Sequence, residues 1–94
     1  MLEKEIENKV KLYAYSKNWL MYKWTSPSRI GVPDDILISP QGKVIFMEFK
    51  QLGKKPTVMQ EREHNRIRNN NAEVYVVDSV ELGKGIIDAC SSGL

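Results

Sequence analysis

The stretch Gly31-Val32-Pro33-Asp34-Asp35-Ile36-Leu37-Ile38-Ser39-Pro40-Gln41-Gly42-Lys43-Val44-Ile45-Phe46-Met47-Glu48-Phe49-Lys50 decides the fold. Gly31 and Pro33 break regular structure at its start. Asp35 to Ser39 is rich in Ile and Leu and reads as a strand. Pro40-Gln41-Gly42 sets Pro and Gly at turn-favoured places. Lys43 to Lys50, dense in Val, Ile, Phe and Met, reads as the partner strand. So short a turn predicts an antiparallel hairpin. Asp34 then stands at the mouth of one strand. Glu48 and Lys50 lie two apart on the other, so their side chains share a face. The hairpin carries Asp34 and Glu48 toward one point beside Lys50.

This set of residues suits phosphodiester hydrolysis. That reaction needs a hard cation to neutralise phosphate charge and to lower the pKa of an attacking water. Carboxylates at Asp34 and Glu48 suit Mg²⁺ or Mn²⁺, with waters and substrate phosphate completing the shell. The backbone carbonyl of Phe49 offers a further oxygen. Lys50 suits orientation of water or stabilisation of developing charge. Its ammonium has no lone pair for a metal at neutral pH. Taken alone, a Glu-x-Lys on an edge strand is more often a solvated ion pair. The neighbours Val44, Ile45, Phe46, Met47 and Phe49 instead describe a buried central strand. A charge there is costly unless paired or metal-bound.

Outward from the hairpin, residues 2–17 predict an amphipathic helix, with Leu2, Ile6, Val10, Tyr13 and Ala14 at helical spacing. Glu3 and Glu7 fall at the edge of its apolar stripe. Trp19 to Thr25 alternates as a strand. Gly53 to Pro56 is a basic loop. Val58 to Asn70 reads as a helix, and Thr57 with Gln60 fits a capping box. Asn69-Asn70-Asn71 stops it. Glu73 to Asp78 is a short strand. Ser79 to Cys90 reads as a last helix, with a start after Gly83 as the alternative, and Ser91, Ser92 and Gly93 as a tail. The order is helix, three strands, helix, strand, helix. It predicts an α/β fold in which a mixed sheet is flanked by helices.

The 94 residues make one domain, 1–94. A net charge of +2 with 28% charged residues does not by itself argue for nucleic acid. The single cysteine, Cys90, excludes an intramolecular disulfide and fits a reducing cytoplasm, where it reads as a small buried hydrophobe. Glu3, Glu5 and Glu7 interrupt any secretory leader. No apolar run approaches the roughly 20 residues of a membrane helix.

Pro33-Asp34, thirteen residues, then Glu48-Phe49-Lys50 resembles the catalytic signature of the PD-(D/E)XK nuclease superfamily. The wider set resembles its VRR-NUC branch: Lys23-Trp24-Thr25-Ser26-Pro27 with Arg29, Gly31-Val32-Pro33-Asp34, Phe46-Met47-Glu48-Phe49-Lys50 and Gln60. The resemblance runs from about Glu3 to Asp78. It implies a restriction-endonuclease-like fold, an α-β-β-β-α-β core plus a C-terminal helix. It implies metal ligands at Asp34 and Glu48, a catalytic Lys50 and a supporting Gln60. It also implies an acidic residue from the first helix, Glu7 here, with Glu3 in reserve. Stand-alone members resemble small Holliday-junction resolvases that act as dimers. The expected function is therefore a metal-dependent, structure-selective DNA endonuclease, a homodimer acting on four-way junctions, of a minimal form often encoded by phages. The alternative is a DNA-binding module that keeps the fold and does not cut.

Lesser signals carry two readings each. Gln60 serves either the site or the cap, which compete for one side chain. Lys54, Lys55, Arg62, Arg66 and Arg68 either track phosphates or form a solvated face laced with Glu61 and Glu63. Lys23 suits contact with DNA, and Ser26, Ser28 and Arg29, in the loop before the site, either touch the scissile strand or belong to a disordered loop. His64, the one histidine, is expected on the helix surface rather than as a ligand or base. Trp19, Trp24, Tyr13, Tyr15 and Tyr22 have the spacing of core or subunit interface more than of base stacking.

Overall fold

A computed structural model describes residues 1–91, so Ser92 and Gly93 of the expected tail lie outside the described residues. The elements are α1 (Glu3–Ser16), β1 (Leu20–Lys23), β2 (Asp35–Ile38), β3 (Val44–Phe49), α2 (Val58–Asn69), β4 (Glu73–Val77) and α3 (Val80–Ser91). This is the order predicted from the sequence. Strand β1 is shorter than expected, ending at Lys23, and α3 starts at Val80, ahead of Gly83.

The sheet order is β1-β2-β3-β4. β1, β2 and β3 run antiparallel, and β4 joins β3 in parallel through the α2 crossover. The hairpin pairs Ile38 with Val44 and Asp35 with Met47. Ser39 closes its turn: its amide donates to Lys43 O at 2.8 Å and its carbonyl accepts from Gly42 N at 2.9 Å. β3 is thus a central strand, as its apolar density predicts.

Alternation splits the sheet into two faces. Leu37, Ile45, Met47 and Phe49 point into a core built with Ile6, Val10 and Ala14 of α1 and Ile87 and Cys90 of α3. The buried Cys90 matches expectation. α1 and α3 approach closely because Gly83 has no side chain: a Cβ there would lie 2.5 Å from Val10 Cγ2. Trp19 is buried in this core and donates from Nε1 to Ser91 Oγ at 2.8 Å. Trp24 lies beside Phe46, ring centroids 5.2 Å apart. Tyr15 and Tyr22 remain exposed. The other face carries Phe46 and Glu48 toward α2. Among the described residues no helix is long and apolar enough to cross a membrane.

Candidate active site

Asp34, just ahead of β2, is placed by contacts to the ends of the strands on either side, β1 and β3. Its carbonyl accepts from Trp24 N at 2.8 Å, which continues the β1–β2 ladder and closes the base of the 25–33 loop. Its Oδ2 accepts from Phe49 N at 2.8 Å. The carboxylate is therefore fixed against β3, next to Glu48. Glu48 itself is buried at 2% exposure. Burial pushes its carboxyl above the ordinary carboxylate range, and the charge of Asp34 pushes the same way; His64 and Lys50 oppose.

Gln60 resolves the competition seen in the sequence. Its Oε1 accepts from Thr57 N at 2.9 Å, while Thr57 Oγ1 accepts from Gln60 N at 3.2 Å, the full capping box. Its Nε2 donates to Glu48 Oε2 at 3.2 Å. One amide thus serves the cap with one end and the site with the other. Gly31 makes the approach possible. It has φ +89°, and a Cβ would stand 2.6 Å from Met59 O, so the loop before Asp34 lies directly on the first turn of α2.

Asp34, Glu48, Phe49, Lys50 and Gln60 line one solvent-open cleft of about 420 Å³, with Glu3, Glu7 and Lys23 along its α1 side. Within this cleft Glu7 is held by two neighbours. It accepts from Lys23 Nζ at 2.9 Å and is hydrogen-bonded to Asp35. Burial pushes Glu7 up, but the Asp35 and Lys23 contacts outweigh it and hold the carboxyl low. Asp35 is 3% exposed, and burial first, then the Glu7 contact, pushes it up to about 8. Of this pair, Asp35 is the carboxyl whose surroundings favour the proton and Glu7 the one whose surroundings favour the charge.

The cationic residues divide among three places. Lys54 and Lys55 share a second cleft with Lys50 and Glu3. Arg29, Arg62 and Arg66 share a third with Ser28 and Met59. There the buried Glu63 bridges Arg29 at 3.3 Å and Arg66 at 3.7 Å, tying the loop to α2. Arg68 instead donates to Val74 O at 2.8 Å, which makes it a structural residue. Ser26 is half-buried and lines none of these clefts.

His64 is not on the helix surface. Its exposure is 0%, and Nε2 lies 3.5 Å from Glu48 Oε1. The polar composition of α2 hid this. Gln60 and His64 are one turn apart and so share a face, a spacing that was readable once Gln60 was assigned to the site. Asp35 was also missed as a partner of Glu7. Its place in the alternation Asp35, Leu37, Ser39, all buried, was the available signal.

The donor set fits a small hard cation. Glu48 Oε1 is a buried oxygen with no hydrogen-bond partner among the described residues. No three Asp, Glu, His or Cys side chains among those residues stand close enough to enclose an ion by themselves. Two carboxylates at an open cleft suit Mg²⁺ or Mn²⁺, which keep several waters, better than Zn²⁺.

No protein-family model matches the chain. It is 48% identical over 63 residues to "Putative nuclease p44" of Acyrthosiphon pisum secondary endosymbiont phage 1, covering 67% of this chain and 68% of that protein. It is 35% identical over 65 residues to the nonribosomal peptide synthetase verP of Clonostachys rogersoniana, covering 69% of this chain but 3% of that protein. A solved structure described as a VRR_NUC domain superposes with a TM-score of 0.85 at 32% identity, over 92% of this chain and 94% of the other. With a nuclease relative matched over two thirds of its length and the whole fold shared, the chain belongs to the VRR-NUC family.

Proposed function

We propose that this protein is a divalent-metal-dependent DNA endonuclease whose site is Asp34, Glu48 and Lys50. The observation that carries the reading is the meeting of a buried Glu48 with Asp34 and Lys50 in one open cleft. A buried carboxylate beside a second, half-buried one is costly, and a bound cation offsets that cost. Asp34 and Glu48 would hold Mg²⁺ or Mn²⁺, with the Phe49 carbonyl as a third protein oxygen. When bound, the cation neutralises phosphate charge and acidifies water. Lys50 faces the charge that develops on the phosphate oxygens. Gln60 keeps Glu48 oriented. Glu7, or Glu3 in its place, lines the water side of the cleft.

DNA is the substrate this arrangement suits. Arg29, Arg62 and Arg66 on one side and Lys54 and Lys55 on the other offer contacts to flanking phosphates, and Lys23 lines the cleft itself. Four-way junctions are the favoured form, as for the Holliday-junction resolvases that the sequence resembles, and a two-fold dimer would present two sites to a symmetric junction. The phage relative accords with a protein that meets DNA inside a cell.

The test is cleavage of a labelled four-way junction, with linear duplex and single-strand controls, in Mg²⁺, Mn²⁺ or EDTA. Paired nicks that need metal and fall about 100-fold or more in Lys50→Ala are expected. Equal cutting of all DNAs would keep the nuclease and discard the junction. Binding without cutting in either metal would leave a DNA-binding module.

A further inference from the structure

The buried imidazole of His64 has no part in the reading above. We propose that His64 is a positioning residue for Glu48, holding the Oε1 edge of the carboxylate while Gln60, one turn earlier on α2, holds the Oε2 edge. The inference rests on the reading of Glu48 as a metal ligand.

Three observations carry it. His64 is wholly buried, and among the described residues neither ring nitrogen has a hydrogen-bond partner. Glu48 Oε1 is also buried without one. These two unsatisfied groups face each other, Nε2 to Oε1, at 3.5 Å. A closure of about 0.5 Å makes this an ordinary N–H···O bond. An imidazole left unpaired in the interior is destabilising, so a core position that needed only bulk would be better filled by Leu. The spacing supplies the geometry: Gln60 and His64 project from the same face of α2 toward the same strand residue. A carboxylate has about four lone-pair sites, so one donor on each oxygen leaves the rest for a cation. Partners of this kind orient ligating carboxylates, and their loss typically weakens metal affinity about 10–100-fold.

With Glu48 ionised, as a metal ligand must be and as alkaline pH ensures, the contact fixes the tautomer: Nε2 carries a proton. Long-range ¹H–¹⁵N spectra of the wild-type protein in EDTA at alkaline pH read this directly. A proton on Nδ1 alone would overturn the proposal. Mn²⁺ affinity without DNA, from the free-Mn²⁺ electron paramagnetic resonance signal, supplies the second readout. His64→Leu is expected to keep the fold by circular dichroism and to weaken Mn²⁺ binding about tenfold or more, with DNA affinity in EDTA unchanged. His64→Gln, which keeps an N–H donor, is expected to restore binding to within about threefold of wild type. Wild-type Mn²⁺ affinity in His64→Leu, or equal loss in both variants, would reduce His64 to a core filler. If wild type binds no Mn²⁺, the metal reading fails, while the tautomer still decides the His64–Glu48 contact by itself.

Discussion

Gln60 joins a helix cap to a buried carboxylate: its Oε1 takes the Thr57 amide at 2.9 Å and its Nε2 reaches Glu48 Oε2 at 3.2 Å. The start of α2 and the orientation of Glu48 are therefore set by one side chain. Stability and site geometry are coupled there, and substitutions separate them.

Gln60→Glu keeps the capping box, since Glu serves at that position as well as Gln. It also replaces a donor to Glu48 with a second carboxylate. The expected result is a melting temperature close to wild type with cleavage strongly reduced. Gln60→Ala loses both contacts and should cost about 1 kcal/mol of stability as well. Thermal melts beside cleavage rates check this; equal melting of Gln60→Ala and wild type would remove the cap from the account.

Much of this is legible in the sequence. The hairpin followed from two apolar runs flanking Pro40-Gln41-Gly42, and the central place of β3 followed from its lack of polar alternation. Asp34 and Glu48 met because that hairpin left them little choice. His64 was not readable in the same way. α2 has a thin apolar stripe, so its buried face is defined by Glu63 and His64, which an amphipathic reading sends to solvent. The helix is seated by polar contacts to Glu48 and Arg29 rather than by hydrophobic burial. Periodicity arguments cannot see such contacts until the strand beneath is known. The Glu7–Asp35 pair was hidden for a related reason: it joins residues 28 positions apart in sequence that meet only across the α1–sheet packing.

Gly31→Ala is expected to be severe for its size. The residue sits at φ +89°, where a Cβ is strained, and that Cβ would lie 2.6 Å from Met59 O. The cost is about 2 kcal/mol or more, and relief requires the loop to lift from α2. Because Asp34 follows three residues later, cleavage should fall beyond what the lost stability explains. Urea denaturation with rates measured well below the transition tests this; a variant that is less stable but fully active would separate the loop from the site.

Arg62 lines the arginine-rich cleft beside the site without a role in the sheet core. If it meets a phosphate, Arg62→Ala weakens binding to every DNA alike and lowers the slope of log affinity against log salt by about 1. Binding in EDTA across a salt series reads this. An unchanged slope would return Arg62 to the solvated helix face.

Asp35 makes the stability depend on pH in a direction opposite to most surface carboxylates. Its carboxyl is pushed from an ordinary 3.8 up to about 8 by burial, then by hydrogen bonding to Glu7 and by that residue's charge. Across this window the folded state keeps a proton that the unfolded chain has already released. Folding therefore takes up a proton, and stability falls as pH rises through the window. Glu7, held low by Asp35 and Lys23 against its own burial, contributes in the other sense, but only as pH drops through and below the ordinary carboxylate range. Near neutrality Asp35 dominates the pair. In EDTA, wild type should lose stability on the order of 1–3 kcal/mol between about pH 5 and about pH 9. Asp35→Asn keeps an N–H to donate to Glu7 and carries no titrating proton, so its stability should be flatter over the same range and exceed wild type at the alkaline end. Urea midpoints for both proteins at each pH measure the difference. Parallel pH curves would mean that Asp35 is ionised in the folded protein and that the Glu7–Asp35 contact does not hold a proton.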